Sequence, residues 1–151
     1  MYDNGGRWTP PPPSLGIELQ QLPLQSANEF DAKLQAAIEG GAQAIVTMED
    51  PMVESARVRI TGFALDHRLL VMGEFKPMAE AGALMSYGPN QVAMWGRTAY
   101  YVDKILKGAD PANLPVEQPA KFELTINLKT AKALGIDIPP TLLVLSDVVI
   151  E

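Results

Sequence analysis

From Ile17 onward the period of apolar and polar positions changes repeatedly. "IELQQL" (Ile17–Leu22) opens with alternation, the period of a half-buried strand. In "SANE" (Ser26–Glu29) the capping-box spacing starts a helix, and Phe30, Leu34, Ala37 and Ile38 then share one helical face until Gly40-Gly41 stops it. "AIVTM" (Ala44–Met48) is a continuous apolar run, as expected of a parallel strand buried on both faces. Asp50-Pro51 has the form of an N-cap followed by proline at the first helical position. Val53, Ala56, Ile60 and Phe63 make the inward stripe of that helix. "LLVMG" (Leu69–Gly73) is a second buried strand, "KPMAEAG" a short helix, and "ALMSY" (Ala83–Tyr87) a further strand.

Asn90 caps a helix that runs to about Lys107 and ends at Gly108. Its apolar stripe is Trp95, Ala99, Val102 and Leu106. "FELTINL" (Phe122–Leu128) is a strand, "KTAKALG" a short helix, and "IPPTLLVLSDVVIE" a turn of helix and a final strand. Strand–helix alternation at this spacing predicts an α/β fold, a parallel sheet flanked by helices on both faces. Such sheets bind ligands beyond the carboxyl ends of their strands, so the segments after Met48, Met72 and Met85 are the ones to inspect.

Residues 1–14 stand apart. They end in "TPPPPS", which favours polyproline II and neither continues a helix nor donates to a sheet. They read as an arm or linker, leaving residues 15–151 as one domain.

Composition narrows the function classes. The chain is 47% hydrophobic and 20% charged, which is globular. A net charge of -6 argues against nucleic-acid partners and anionic membranes. With no cysteine, disulfides, thiol catalysis and thiolate metal sites are excluded. The single histidine, His67, cannot build a histidine-rich metal site, and it falls at a helix end before a strand. No apolar run is long enough to span a membrane. The first residues lack a signal-peptide layout, so the expectation is a cytoplasmic protein, a trimmed form or a fragment.

Three strand-end segments carry candidate chemistry. In "TMEDP", Glu49 and Asp50 follow a buried strand, and Asp50 is a ligand contact, a helix cap, or both. "GEFKP" offers Phe75 as an apolar face for a ligand or as core. Its lysine-proline resembles phospho-receiver domains, but the acidic pair those need after the first strand is replaced by "PLQS". In "SYGPN", Tyr87 either stacks on a small molecule or packs with its hydroxyl satisfied, and Gly88 lets the backbone turn before the helix. No nucleophile–base pair can be drawn around Ser86 or His67, and no phosphate-binding glycine motif is present. No enzyme activity and no cofactor are expected.

"EAGALMSYGPN", "YYVDKILKGADPANLPVEQPAKFELTINLKTAKALGIDIPPTLL" and the closing "DVVIE" resemble the ABC transporter substrate-binding protein family that includes tryptophan/tyrosine-binding proteins. The likeness runs from about Ile17 to the end and corresponds to the second half of such proteins. It implies one lobe of a type I periplasmic-binding-protein-like fold, a periplasmic location, and non-catalytic capture of a small molecule for a permease. The family's cleft-facing segments map onto Thr47, Glu49 and Asp50, onto Gly73–Phe75, and onto Ser86 and Tyr87; within them the ligand-binding residues are Thr47, Glu49, Asp50, Phe75, Ser86 and Tyr87, with Tyr87 where the chain passes between lobes. Carboxylates and tyrosine suit an amine-bearing or aromatic solute such as an amino acid. The resemblance also leaves the stripe of Trp95, Ala99, Val102 and Leu106 without its lobe. The expected partner is a second copy in a homodimer that exchanges these helices, or a chain carrying the missing lobe. The alternatives are a cytoplasmic ligand-sensing module and an inert dimeric remnant.

Overall fold

Local signals place most of the elements. The computed structural model describes residues 16–151, so the proline-rich arm lies outside the described residues. The chain divides into two compact units, one ending at Ala42 and the other spanning Gln43–Glu151.

In the first unit, α1 (Phe30–Glu39) follows a single 3-10 turn and buries Phe30, Leu34 and Ala37. The capping box is shifted by one residue. Glu29 accepts from the Gln25 amide at 3.2 Å, and Ser26 supplies its backbone carbonyl, rather than its hydroxyl, to the Glu29 amide. Gly41, at φ +73, makes the left-handed turn that ends the helix. Ile17–Leu22 forms no strand among the described residues, and Ile17 and Leu19 are exposed. Alternation marks a strand only when another strand lies beside it to take its backbone hydrogen bonds.

The second unit holds a five-stranded sheet in the order β1 (Ala44–Val46), β2 (Leu70–Gly73), β3 (Met85–Pro89), β4 (Phe122–Asn127) and β5 (Val148–Ile150). All neighbours are parallel except β3 and β4, which pair antiparallel from Met85↔Ile126 to Pro89↔Phe122. The exception has a local cause. After β3 the chain runs out along α5 (Gln91–Leu106) and returns to the same end of the sheet, where the Asn90 amide donates to the Lys121 carbonyl at 3.0 Å. β1 is shorter and more exposed than a doubly buried strand, with Val46 64% exposed, because it is an edge strand.

The predicted helix after Asp50 is two helices, α2 (Pro51–Ser55) and α3 (Arg57–Asp66), broken at Ala56. α3 turns Ile60, Thr61 and Ala64 inward, and Phe63 instead stacks on His67 at 4.2 Å. His67 ends α3, its Nδ1 2.8 Å from the Phe63 carbonyl. α4 (Lys76–Glu80) and α6 (Leu128–Leu134) complete a layer stitched by buried polar side chains. The Thr61 hydroxyl donates to the Ala81 carbonyl at 2.7 Å and that of Thr130 to the Gly82 carbonyl at 3.0 Å. Asn127 donates to the Ala79 carbonyl at 2.9 Å and accepts from the Thr130 amide at 3.1 Å, so one side chain joins β4, α4 and α6. Leu69, Val71 and Leu84 are buried beneath this layer together with Met78 of α4, and Ile126, paired with Met85, is buried on the opposite face of the sheet. α7 (Pro140–Leu145) leads into β5.

Candidate functional site

At the carboxyl ends of β1 and β2 two turns face each other. After β1 the chain stays extended, with the Thr47 amide donating to the Met72 carbonyl at 3.0 Å. That contact carries Glu49 past the end of β2, where its amide donates to a carboxylate oxygen of Glu74 at 3.2 Å. Thr47, Glu49, Glu54, Glu74 and Phe75 line the resulting pocket. Its free volume of about 10 Å³ is room for one water molecule. Partial burial comes first among the effects that push the pKa of the Glu49 carboxyl above its ordinary value, and the like charges of Glu74, Glu54 and Asp50 add to it. A site with this electrostatic character favours a cation or a proton.

The candidates named from the sequence do not all converge. Thr47, Glu49 and Phe75 share this pocket, and Phe75 is also core. Asp50 stands beside it with one carboxylate oxygen accepting from the Met52 amide at 2.7 Å, as a helix cap does. Ser86 is buried on the side of β3 covered by α4, and opposite it on β4 stands Thr125; neither hydroxyl has a hydrogen-bond partner among the described residues. Tyr87 points to the other face, because successive strand residues alternate. There it is 52% exposed and stacks on Phe122 with ring centres 5.6 Å apart.

Gly88 serves a different purpose from the expected turn. The strand continues through it to Pro89, and a Cβ at this position would fall 2.2 Å from the Glu74 carbonyl oxygen. Glycine is needed so that the Glu74 turn can lie directly on β3.

Glu54 and Phe122 were missed as candidates, and Glu74 fell inside the mapped segment Gly73–Phe75 without being singled out. Glu74 carries a signal, a carboxylate directly after a buried strand in "GEFKP". Phe122 carries none, because its place beside Tyr87 depends on the antiparallel register of β3 and β4.

A second, larger groove of about 240 Å³ opens beside the start of α5, where Glu74, Glu80 and Glu123 line it together with Lys76 and Val92. Lys76 pairs with Glu80 at 3.3 Å, and Asn90 donates to Glu123 at 2.6 Å. Among the described residues no group of acidic and histidine side chains forms a metal site, and no helix is long and apolar enough to cross a membrane.

α5 is the longest helix of the sheet unit, yet like the short α2 and α7 it buries none of its residues, and Val92, Trp95 and Leu106 are 80%, 69% and 81% exposed. Its opposite side is held by its own return segment. Arg97 forms a two-pronged ion pair with Glu117, Nε to Oε2 at 2.6 Å, and lies over the Tyr100 ring at 3.9 Å. The Tyr101 hydroxyl donates to the Pro115 carbonyl at 2.7 Å. The hydrogen bonds from Arg97 hold the Glu117 carboxyl below the usual carboxylate range.

Comparison with known proteins agrees with this architecture. The profile of a family described as ABC transporter substrate binding protein matches residues 12–150. A conserved domain protein from Vibrio cholerae is similar in structure, with a TM-score of 0.78 and 28% identity over 83% of this chain and 42% of its own. A Streptococcus pneumoniae ABC domain in complex with L-Trp gives a TM-score of 0.78 at 27% identity, covering 84% of this chain and 43% of its own. A ligand-free, open substrate binding protein with adhesive properties from Clostridium difficile shares the fold, with a TM-score of 0.59 at 21% identity over 85% and 42% of the two chains. No curated protein matches. The chain therefore spans somewhat over two fifths of the length of these structures. With the profile covering nearly its whole length, the chain belongs to the ABC transporter substrate binding protein family.

Proposed function

We propose that the protein captures a small amine-bearing or aromatic solute, such as an amino acid, without chemical conversion, at the strand ends of the sheet unit. The observation that carries this reading is the carboxylate-rich pocket at the ends of β1 and β2, in a chain whose family binds transport substrates. Glu49 and Glu74 would pair with an ammonium group, with Asp50 adding negative charge nearby. Thr47 would hydrogen-bond the solute, and Phe75 would give it an apolar wall. Ser86 supports the strand end from beneath. Tyr87, on the other face, belongs to the passage toward a second lobe.

The pocket holds no more than a water-sized volume, so these residues make half of a site. The remaining contacts come from a facing surface. A second copy docked through Trp95, Ala99, Val102 and Leu106 provides such a surface in this reading, by exchange of α5 between copies. A chain carrying a first lobe is the other source. Delivery to an ABC permease, and with it an extracytoplasmic location, follows from the same reading.

Calorimetric titration with L-tryptophan, then with a panel of amino acids and simple amines, tests it. Saturable binding that weakens in Glu49→Gln and Glu74→Gln supports the assignment. Binding unchanged in both variants would move the site elsewhere. If the dimer binds nothing in the panel, the reading as an inert dimeric remnant takes its place.

A further inference from the structure

We draw no further inference here: the strongest candidate, the exposed apolar stripe of Val92, Trp95, Ala99, Val102 and Leu106 along α5, carries nothing because nothing in the structure shows what covers it.

Discussion

The helical layer over the sheet and α5 use the same kinds of residue in opposite ways. In the layer, short side chains are buried and each bond joins separate elements: Asn127 joins β4, α4 and α6, and Thr61 and Thr130 tie α3 and α6 to the turn after α4. On α5 the large apolar residues face outward, and the strong contacts are charged and run to its own return segment. The layer buries its own apolar residues and satisfies Thr61, Asn127 and Thr130, while the Ser86 and Thr125 hydroxyls beneath it have no partner among the described residues. α5 is held in shape by its own chain, with its apolar stripe uncovered by any described residue. Apolar burial within this unit is therefore carried by the layer and not by α5.

Substitutions that strike one region and spare the other sharpen that contrast. The largest expected effect is in the layer. Asn127→Ala removes a helix cap and strands the buried Ala79 carbonyl, and should cost about 2–4 kcal/mol in denaturant unfolding. Trp95→Ala, despite deleting a larger side chain, should change the unfolding free energy of the isolated chain by less than about 0.5 kcal/mol. Its expected effect is on self-association, read by sedimentation. A loss of several kcal/mol in Trp95→Ala under dilute conditions would show that α5 is covered within the monomer, and the contrast would fail.

Glycines give the next test. Gly88→Ala drives a methyl group into the Glu74 carbonyl and should cost about 1–3 kcal/mol. Gly96→Ala meets open space in a helix and should stabilise by about 0.5–1 kcal/mol, seen as a raised unfolding midpoint.

The smallest effects, and the ones that separate the two charge arrangements, are in pH dependence. Glu49 has a raised pKa in the folded chain. Its ionisation weakens the fold, so this group's contribution improves as pH falls through the raised value toward the ordinary carboxylate range. Glu117 is shifted down. The stabilisation from its ion pair is present above the ordinary carboxylate value and is lost as pH falls through the folded one. Hydrogen exchange followed by mass spectrometry from neutral to acid should show the segment 107–121 opening only at the acid end. Glu117→Gln should open it already at neutral pH. In Glu49→Gln the gain in stability between neutral and mildly acidic pH should shrink.

Caps, stops and buried runs were legible because each is a short-range event. Asp50 and Asn90 accept the amide bonds expected of helix caps, and Gly135, at φ +71, closes α6, whereas the cap at Asn127 lies at the end of what reads as a strand. The break at Ala56, which divides one expected helix into α2 and α3, has no glycine or proline to announce it. "AIVTM" has the composition of a central strand but lies at the sheet edge, since strand order is a property of the whole chain path. Part of the site shows the same limit. Glu49 was visible as a carboxylate at a strand end, but its proximity to Glu74 comes from the side-by-side pairing of β1 and β2, 25 residues apart in sequence.

The sequence by itself determined the alternation of strands and helices, the position of most caps and stops, the acidic strand ends and the apolar stripe of α5. These follow from periodicity and from hydrogen bonds that reach only a few residues. Only the tertiary structure decided that β4 runs antiparallel to β3, that Ser86 is sealed while Tyr87 is exposed, that Gly88 admits the Glu74 turn, and that the stripe of α5 faces away from every described residue. Each of these depends on which backbone lies beside which, and no local pattern of side chains encodes that.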